Sequence, residues 1–257
     1  MRSILFAPKP EWVDPIQTRL NPAKFQGFFR EFDDSAVSLD NFDCVVPLRL
    51  GDYDLLRAKP EKSAPKFLIP DEAVVALAHD KSQWNDFLQH SGFGEFVPEI
   101  YNGHVSYPFI YKKRQDDWGF NSRIIYSPEE MITFEKAIAR EDYFKQEYVS
   151  GKTEYVTHIL AVDGKVRYAL CYEHGFDSDY FIKGKWANYT SWRELETPFM
   201  DIFVSILEKL NYTGTCCFNF KIANGIPKIF EMNPRYGWTL TLEINAYLDA
   251  YLDALAA

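Results

Sequence analysis

The chain has 257 residues, 47% of them apolar and 17% aromatic. That is enough to bury a sizeable core in one or two domains, and it is unlike a disordered chain. Lysine and arginine number 28 against 37 aspartate and glutamate, a formal charge of −9, which argues against nucleic acid or an anionic membrane as the main partner. No apolar run approaches the ~20 residues of a membrane span, and the run ahead of Pro8 is too short for a signal-peptide core. Cys44, Cys171, Cys216 and Cys217 show no zinc spacing, so reduced thiols in a cytoplasmic protein are the simplest expectation.

Residues 1–70 read as a short α/β segment. Apolar runs at 3–6, 43–46 and 66–69 predict strands, with Pro8, Pro10, Pro15 and Pro22 between the first two. The second run leads into Pro47-Leu48-Arg49, placing a cation at the sheet edge where ligands of open α/β sheets gather. A solvated loop arginine is the plainer reading. Further on, Asp80 is a good N-cap, Trp84, Phe87 and Leu88 recur at helical spacing, and Gly92 is a stop. Packing does not explain Lys81, because a lysine in the first turn opposes the helix dipole. The run 107–113, YPFIYKK, predicts a strand with Tyr107, Phe109 and Tyr111 on one face and Ile110 and Lys112 on the other. Ser127-Pro128-Glu129-Glu130 supplies an N-cap, a proline at the first helical position and a capping-box glutamate. Met131, Phe134 and Ile138 make that helix's buried face.

Residues 144–151 alternate and then break at Gly151. A hairpin is expected over 155–174 with Asp163-Gly164 at its turn. A histidine such as His158 is expected to be satisfied within that sheet, and no Ser–His–Asp or Cys–His arrangement stands out. The loop from 174 to 189, rich in Asp, Lys and aromatic residues, is a candidate cover for a substrate. Thr197-Pro198 opens the clearest amphipathic helix, with Phe199, Ile202, Phe203, Ile206, Leu207 and Leu210 on one stripe. The C-terminal run repeats the pattern with Ile244, Tyr247, Leu248, Tyr251, Leu252 and Leu255. An exposed part of that stripe would offer a homodimer surface; core packing is the simpler expectation.

The densest chemistry lies in residues 214–239. Two alternating runs flank Asn224-Gly225, a strong short-range hairpin signal. The first puts Cys217, Asn219 and Lys221 on one face; the second ends with Glu231 and Asn233 sharing a face. Pairing the runs brings Asn219 opposite that end, so three oxygen-bearing side chains converge. Few carboxylates, with positions left for phosphate oxygens, suit Mg²⁺ bound to a nucleotide. Arg235, fixed by Pro234, is placed to hold an anion beside the metal.

The run Glu231-Met232-Asn233-Pro234-Arg235 with its hairpin resembles the metal-binding signature of the ATP-grasp superfamily. The resemblance implies an α+β, two-lobed ATP-grasp fold with a short N-terminal α/β segment: 1–70 as that segment, 71–143 as the first lobe, 144–257 as the second. It further implies ATP and Mg²⁺ as cofactors, with Asn219, Glu231 and Asn233 as metal ligands; Asn219 is closer to the amide of the carbamoyl phosphate synthetase branch than to an acid. By the same resemblance Lys81 and Lys112 meet the nucleotide phosphates, and residues 114–122 occupy the place of a glycine-rich lid but hold one glycine. Gln146, Glu147, Tyr148 and Val149 would line the adenine pocket, and Glu154 would hold the ribose. Lys81, Lys112 and Glu154 each also have a plain reading as surface, strand-end or loop charges.

The activity implied is an ATP-dependent carboxylate–amine ligase. A carboxylate takes the γ-phosphoryl group, Arg235 stabilises the developing phosphate, and an amine or similar nucleophile displaces the phosphate from the acyl phosphate. Two other readings are kept: a non-catalytic ATP-binding sensor or partner module, and a kinase that phosphorylates a hydroxyl.

Overall fold

A computed structural model describes residues 1–59, 66–116, 119–184 and 189–257. The first segment contains β1 (Arg2–Phe6), α1 (Pro10–Arg19), β2 (Phe25–Phe29), β3 (Cys44–Val46) and α2 (Gly51–Arg57). The three strands form a parallel sheet in the order β2-β1-β3. The expected strands at 3–6 and 43–46 are present. The run at 66–69 is not a strand: it lies alongside β3, where Val45 N–H donates to the Lys66 carbonyl at 2.7 Å. Two elements escape the sequence reading. Helix α1 carries Pro10 in its first turn, where an N–H has no intrahelical partner, and Pro15 in its interior, at the expense of one helical hydrogen bond. In β2, Gly27 breaks the apolar run, yet a side chain there would meet Leu20 Cδ1 at 2.7 Å.

The small lobe begins with α3 (Glu72–His79) and α4 (Lys81–Leu88). Between them Asp80 accepts from the N–H groups of Ser82 and Gln83 and so starts α4, a cap worth about 1 kcal/mol. Trp84 and Leu88 are fully buried, and Gly92 leaves the helix at φ +90°. Strands β4 (Phe109–Lys113), β5 (Arg123–Ile125) and β6 (Tyr143–Glu147) form an antiparallel sheet with β4 central, and α5 (Pro128–Glu135) lies against it. Phe109 and Tyr111 pack with Met131, Phe134 and Ile138, leaving Ile110 and Lys112 for the opposite face. Ser127 Oγ caps the N–H of Glu130, whose carboxylate reaches back to the N–H of Tyr126 rather than that of Ser127.

The large lobe is a five-stranded antiparallel sheet in the order β11-β10-β7-β8-β9, built from β7 (Thr153–Val162), β8 (Lys165–Gly175), β9 (Ser191–Leu195), β10 (Gly214–Ala223) and β11 (Ile226–Asn233). Asp163-Gly164 and Asn224-Gly225 all take positive φ, between 49° and 77°, the signature of two-residue turns whose twist matches the strands. Helix α6 (Met200–Lys209) starts later than Thr197-Pro198 suggests, because Phe199 turns left-handed at φ 58°. Its apolar stripe and α4 cover one sheet face through Cys216, Phe218, Phe220, Ile229 and Met232. Across the sheet, Cys217 belongs to the other core, with α1, β1 and α7 (Ile244–Ala256). The stripe of α7 is therefore spent inside the fold, with Ile244, Tyr247, Leu248 and Tyr251 buried.

Tyrosine hydroxyls tie the N-terminal segment to the large lobe. Tyr53 donates to the Pro234 carbonyl at 2.7 Å, so α2 holds the end of β11. Tyr251 accepts from the Leu68 N–H at 2.7 Å and donates to the Val45 carbonyl at 3.1 Å. Replacing Tyr251 by phenylalanine leaves two buried backbone groups without partners, and urea unfolding is expected to show a loss of about 1–3 kcal/mol. A change below a few tenths would mean that this bond does not hold the segment in place.

Candidate functional site

A cavity of about 340 Å³ lies between the small sheet and the open face of the large one, within the range of small-ligand sites. Strand register decides which side chains meet on its floor. Asn219 stands between Val156 on β7 and Glu231 on β11, Cys217 between His158 and Asn233, and Glu154 faces His174. The carboxamides of Asn219 and Asn233 both donate to Glu231 Oε1, at 2.8 and 2.9 Å. The expected convergence of these three residues is thus in the structure.

Cations from the small lobe approach the same carboxylate. Lys81 Nζ lies 3.4 Å from Glu231 Oε2 and donates to the Asp116 carbonyl at 2.7 Å. Lys112 Nζ donates to the Phe230 carbonyl at 3.2 Å and to Gln146 Oε1 at 3.4 Å. Burial works against ionising Glu231, but Lys81, Lys112 and the two asparagines outweigh it and hold its pKa down at about 2. Burial, helped by Lys81 and opposed by Glu231 and Glu154, pulls Lys112 down to about 8. The strand that buries Phe109 and Tyr111 is what turns Lys112 into the cleft.

Among the described residues no group of three or more His, Cys, Asp or Glu is arranged to hold a metal by itself. One carboxylate and two carboxamides, with Lys81 beside them, carry no net negative charge to draw in a bare cation. They fit Mg²⁺ only if it arrives with phosphate oxygens and both amides present Oδ1. Arg235 lines the cavity, donates to the Tyr236 carbonyl at 3.3 Å, and has no carboxylate partner among the described residues.

Gln146, Glu147, Tyr148 and Val149 all line the cavity, as does Glu154. Several already have partners. Gln146 donates to the Pro98 carbonyl at 3.2 Å, Glu147 accepts from the Glu99 N–H at 3.1 Å, and the Tyr148 hydroxyl accepts from the Phe181 N–H at 2.7 Å. Glu154 pairs with Lys183 at 2.5 Å, and Lys183 also donates to Asn219 Oδ1 at 3.3 Å. Lys183 and Lys221 also line the cavity, though the sequence gives neither a site role: Lys221 shares the face of Asn219, as the alternation of its strand predicts, whereas no local signal says which way Lys183 turns from its loop. Arg49, by contrast, pairs with Glu31 and Asp52 at 2.8 and 2.7 Å and does not line the cavity.

The roof comes from two loops. Arg114, at the base of the first, pairs with Asp80 at 2.6 Å, and its carbonyl accepts from the Lys81 N–H, so the loop and α4 are fastened together. A side chain at Gly119, where φ is +64°, would meet Ile182 Cγ2 at 2.7 Å. Asp117 and Trp118 of this expected lid, residues 185–188 of the 174–189 loop and residues 60–65 of the first segment lie outside the described residues.

His158 is only half satisfied: Nε2 pairs with Thr239 Oγ1 at 2.7 Å, while Nδ1 has no partner among the described residues. His174 has none at either nitrogen and stacks on Tyr189 at 4.5 Å. Burial, then Lys183, pushes His174 down to about 3; burial, then Lys183, His174 and Arg235, does the same to His158.

No protein-family model matches the sequence, and no curated protein matches it. Solved structures do. The chain resembles the D-alanine–D-alanine ligase of Bacillus anthracis at 14% identity and TM-score 0.62, covering 100% of this chain and 97% of that one. A D-cycloserine synthetase matches at 13% identity and TM-score 0.64, covering 98% and 99%. The biotin carboxylase domain of a Hydrogenobacter thermophilus 2-oxoglutarate carboxylase, solved with MgADP and bicarbonate, matches at 15% and TM-score 0.63, covering 100% and 70%.

The neutral histidines predict a pH dependence. With its pKa near 3 when folded against ~6.5 unfolded, His174 favours the folded state fully above pH 6.5. The unfolded chain takes up more protons below that, so this stability is lost as pH falls towards 3. His174→Phe should show a shallower fall in unfolding free energy between pH 6.5 and 4 than the wild type. Parallel pH profiles would show that His174 is protonated without penalty.

Proposed function

The chain has the ATP-grasp fold, and we propose that it is an ATP-dependent ligase that activates a carboxylic acid as an acyl phosphate and joins it to an amine or similar nucleophile. One observation carries this reading: Asn219, Glu231 and Asn233 are hydrogen-bonded together at one cavity wall that Arg235 also lines, with Lys81 against the same carboxylate and Lys112 nearby. A passive binder has no use for an arginine without a carboxylate partner at the end of that set. The structural relatives are themselves described as a ligase, a synthetase and a carboxylase domain.

In this reading Lys81 and Lys112 face the nucleotide phosphates and lower the charge repulsion that an incoming carboxylate meets. Asn219, Glu231 and Asn233 would hold Mg²⁺, which neutralises phosphate charge and aligns the γ-phosphoryl group for in-line transfer. Arg235 holds the acid so that a carboxylate oxygen attacks the γ-phosphorus as ADP leaves. The nucleophile's nitrogen then attacks the acyl carbon and phosphate departs. No nucleophilic side chain is required. Contact between the two roof loops excludes water, which would hydrolyse the acyl phosphate. Gln146 to Val149 form the base wall, and Glu154 binds the ribose hydroxyls once Lys183 turns from it to the phosphates.

A non-catalytic nucleotide-binding role draws on a specific feature: Asn219 carries no charge, which weakens the hold on a second metal ion. The two readings separate experimentally. MgATP at one hundred times its dissociation constant should stabilise the wild type by about 2.7 kcal/mol, and Glu231→Ala should lose the Mg²⁺-dependent part. ADP release is expected with a panel of carboxylic acids and hydroxylamine as nucleophile. Arg235→Ala should keep the MgATP stabilisation and lose at least a hundredfold in ADP release. Stabilisation by MgATP with no acid-dependent ADP release would favour the binding module; no response to MgATP would leave only the fold.

A further inference from the structure

Lys221 takes no part in the chemistry above, yet it is one of the most buried charges in the chain, 3% exposed. It leaves β10 on the same face as Asn219, one strand step towards the segment that follows β6. Its ammonium donates to the carbonyls of Val149 and Gly151, both at 2.9 Å. The Phe181 ring centroid is 4.0 Å away and that of Tyr148 5.1 Å. No carboxylate forms an ion pair with it among the described residues. Its register partner Lys228 does the opposite, reaching out to the Glu95 carbonyl and staying outside the cavity.

Burying a cation with no counter-ion is unfavourable unless its donors are used. An ammonium has three N–H groups; Val149 and Gly151 take two, and the third has no acceptor among the described residues. Lys221 nonetheless lines the cavity, beside Tyr148, Val149 and Phe181. The Tyr148 ring, the Val149 side chain and a fixed donor match a flat heterocycle that carries a hydrogen-bond acceptor at its edge, while Phe181, stacked on Phe176 at 3.7 Å, backs the ammonium. An ammonium carries donors and no acceptor, so it cannot take a hydrogen bond from an exocyclic amino group. Recognition at this point therefore falls on an acceptor atom of the ring. Burial, opposed by Glu154 and Asp179, brings the Lys221 pKa to about 8, so near neutrality the group is still mostly a cationic donor.

We propose that Lys221 reads the nucleotide base, its ammonium donating to a ring nitrogen of a purine seated against residues 146–151. The proposal rests on the nucleotide-binding reading above and adds to it the group that selects the base. The alternative is a purely structural clamp between β10 and the 149–151 backbone.

The test is calorimetric titration of wild type and Lys221→Met with MgATP and with its 1-deaza, 3-deaza and 7-deaza analogues, each of which replaces one ring nitrogen by C–H. One analogue is expected to bind the wild type about tenfold more weakly than ATP, as for loss of a bond to a charged donor. Lys221→Met should bind ATP about tenfold more weakly and no longer distinguish that analogue from ATP. Equal binding of all four nucleotides by the wild type would overturn the proposal, as would unchanged discrimination in Lys221→Met. If that variant does not fold, the wild-type series alone decides between these outcomes. A wild type that binds ATP without discrimination sinks this proposal only, whereas one that binds no nucleotide sinks the nucleotide reading with it.

Discussion

The register of the β10–β11 hairpin is the constraint on which the site depends. Asn224 and Gly225 take the left-handed conformations that a two-residue turn demands, and that turn fixes which residues stand opposite one another. The pairing then passes an irregularity at Asn219/Phe220 and still places Asn219 against Glu231 and Cys217 against Asn233. A slip by one residue would send Glu231 into the core formed by Met232, Phe218 and Phe203, and Met232 into the cavity. The apolar alternation that buries one face and the polar set that faces the cleft are two readings of the same period of two. That is why a polar set can be built into a strand without loss of packing.

Charge organises the rest of the cleft. The protein is acidic as a whole, yet Lys81, Lys112, Lys183, Lys221 and Arg235 all line one cavity. These cations settle on what is near: Lys81 on Glu231, Lys183 on Glu154 and Asn219, Lys221 on two backbone carbonyls. In the function proposed above, a triphosphate competes for the first two, which releases Glu154 for a diol and leaves Glu231 for a cation. Burial above all, with Lys183 adding to it, keeps His158 and His174 neutral, so the cavity offers uncharged imidazoles as well as Arg235. The elements that deliver these groups are stiffly held. Tyr53 bonds the end of β11 to α2, and Arg114 with Asp80 fastens the lid's base to α4.

Much of this was legible in the sequence because it is local. The Asn224-Gly225 turn, the Glu231 to Arg235 run, the N-caps at Asp80 and Ser127, and the face that carries Lys112 each follow from residue type and spacing over a few positions. Where local signals conflict, the reading fails in identifiable ways. Proline at 10 and 15 hides the helical signal where α1 forms, Gly27 conceals β2, and the apolar run at 66–69 lies beside β3 without joining the sheet. Phe199 belongs to the stripe of α6 but turns left-handed just before it, where its ring meets Phe220 edge-on.

By itself the sequence determined the alternation of each strand, the turns that pair them, and therefore the meeting of Asn219, Glu231 and Asn233, since these hairpin partners lie within 14 positions of one another. Only the tertiary structure decided how the lobes face each other, because that depends on contacts between residues far apart in the chain. It sets Lys81 on Glu231, separated by 150 positions, and Lys183 between Glu154 and Asn219. It also turns Lys221 inward to the 149–151 backbone while Lys228, its neighbour across the hairpin, turns out. A lysine's long flexible stem lets it reach either solvent or a buried carbonyl from the same strand position, so its direction is fixed by what the rest of the fold brings within its reach.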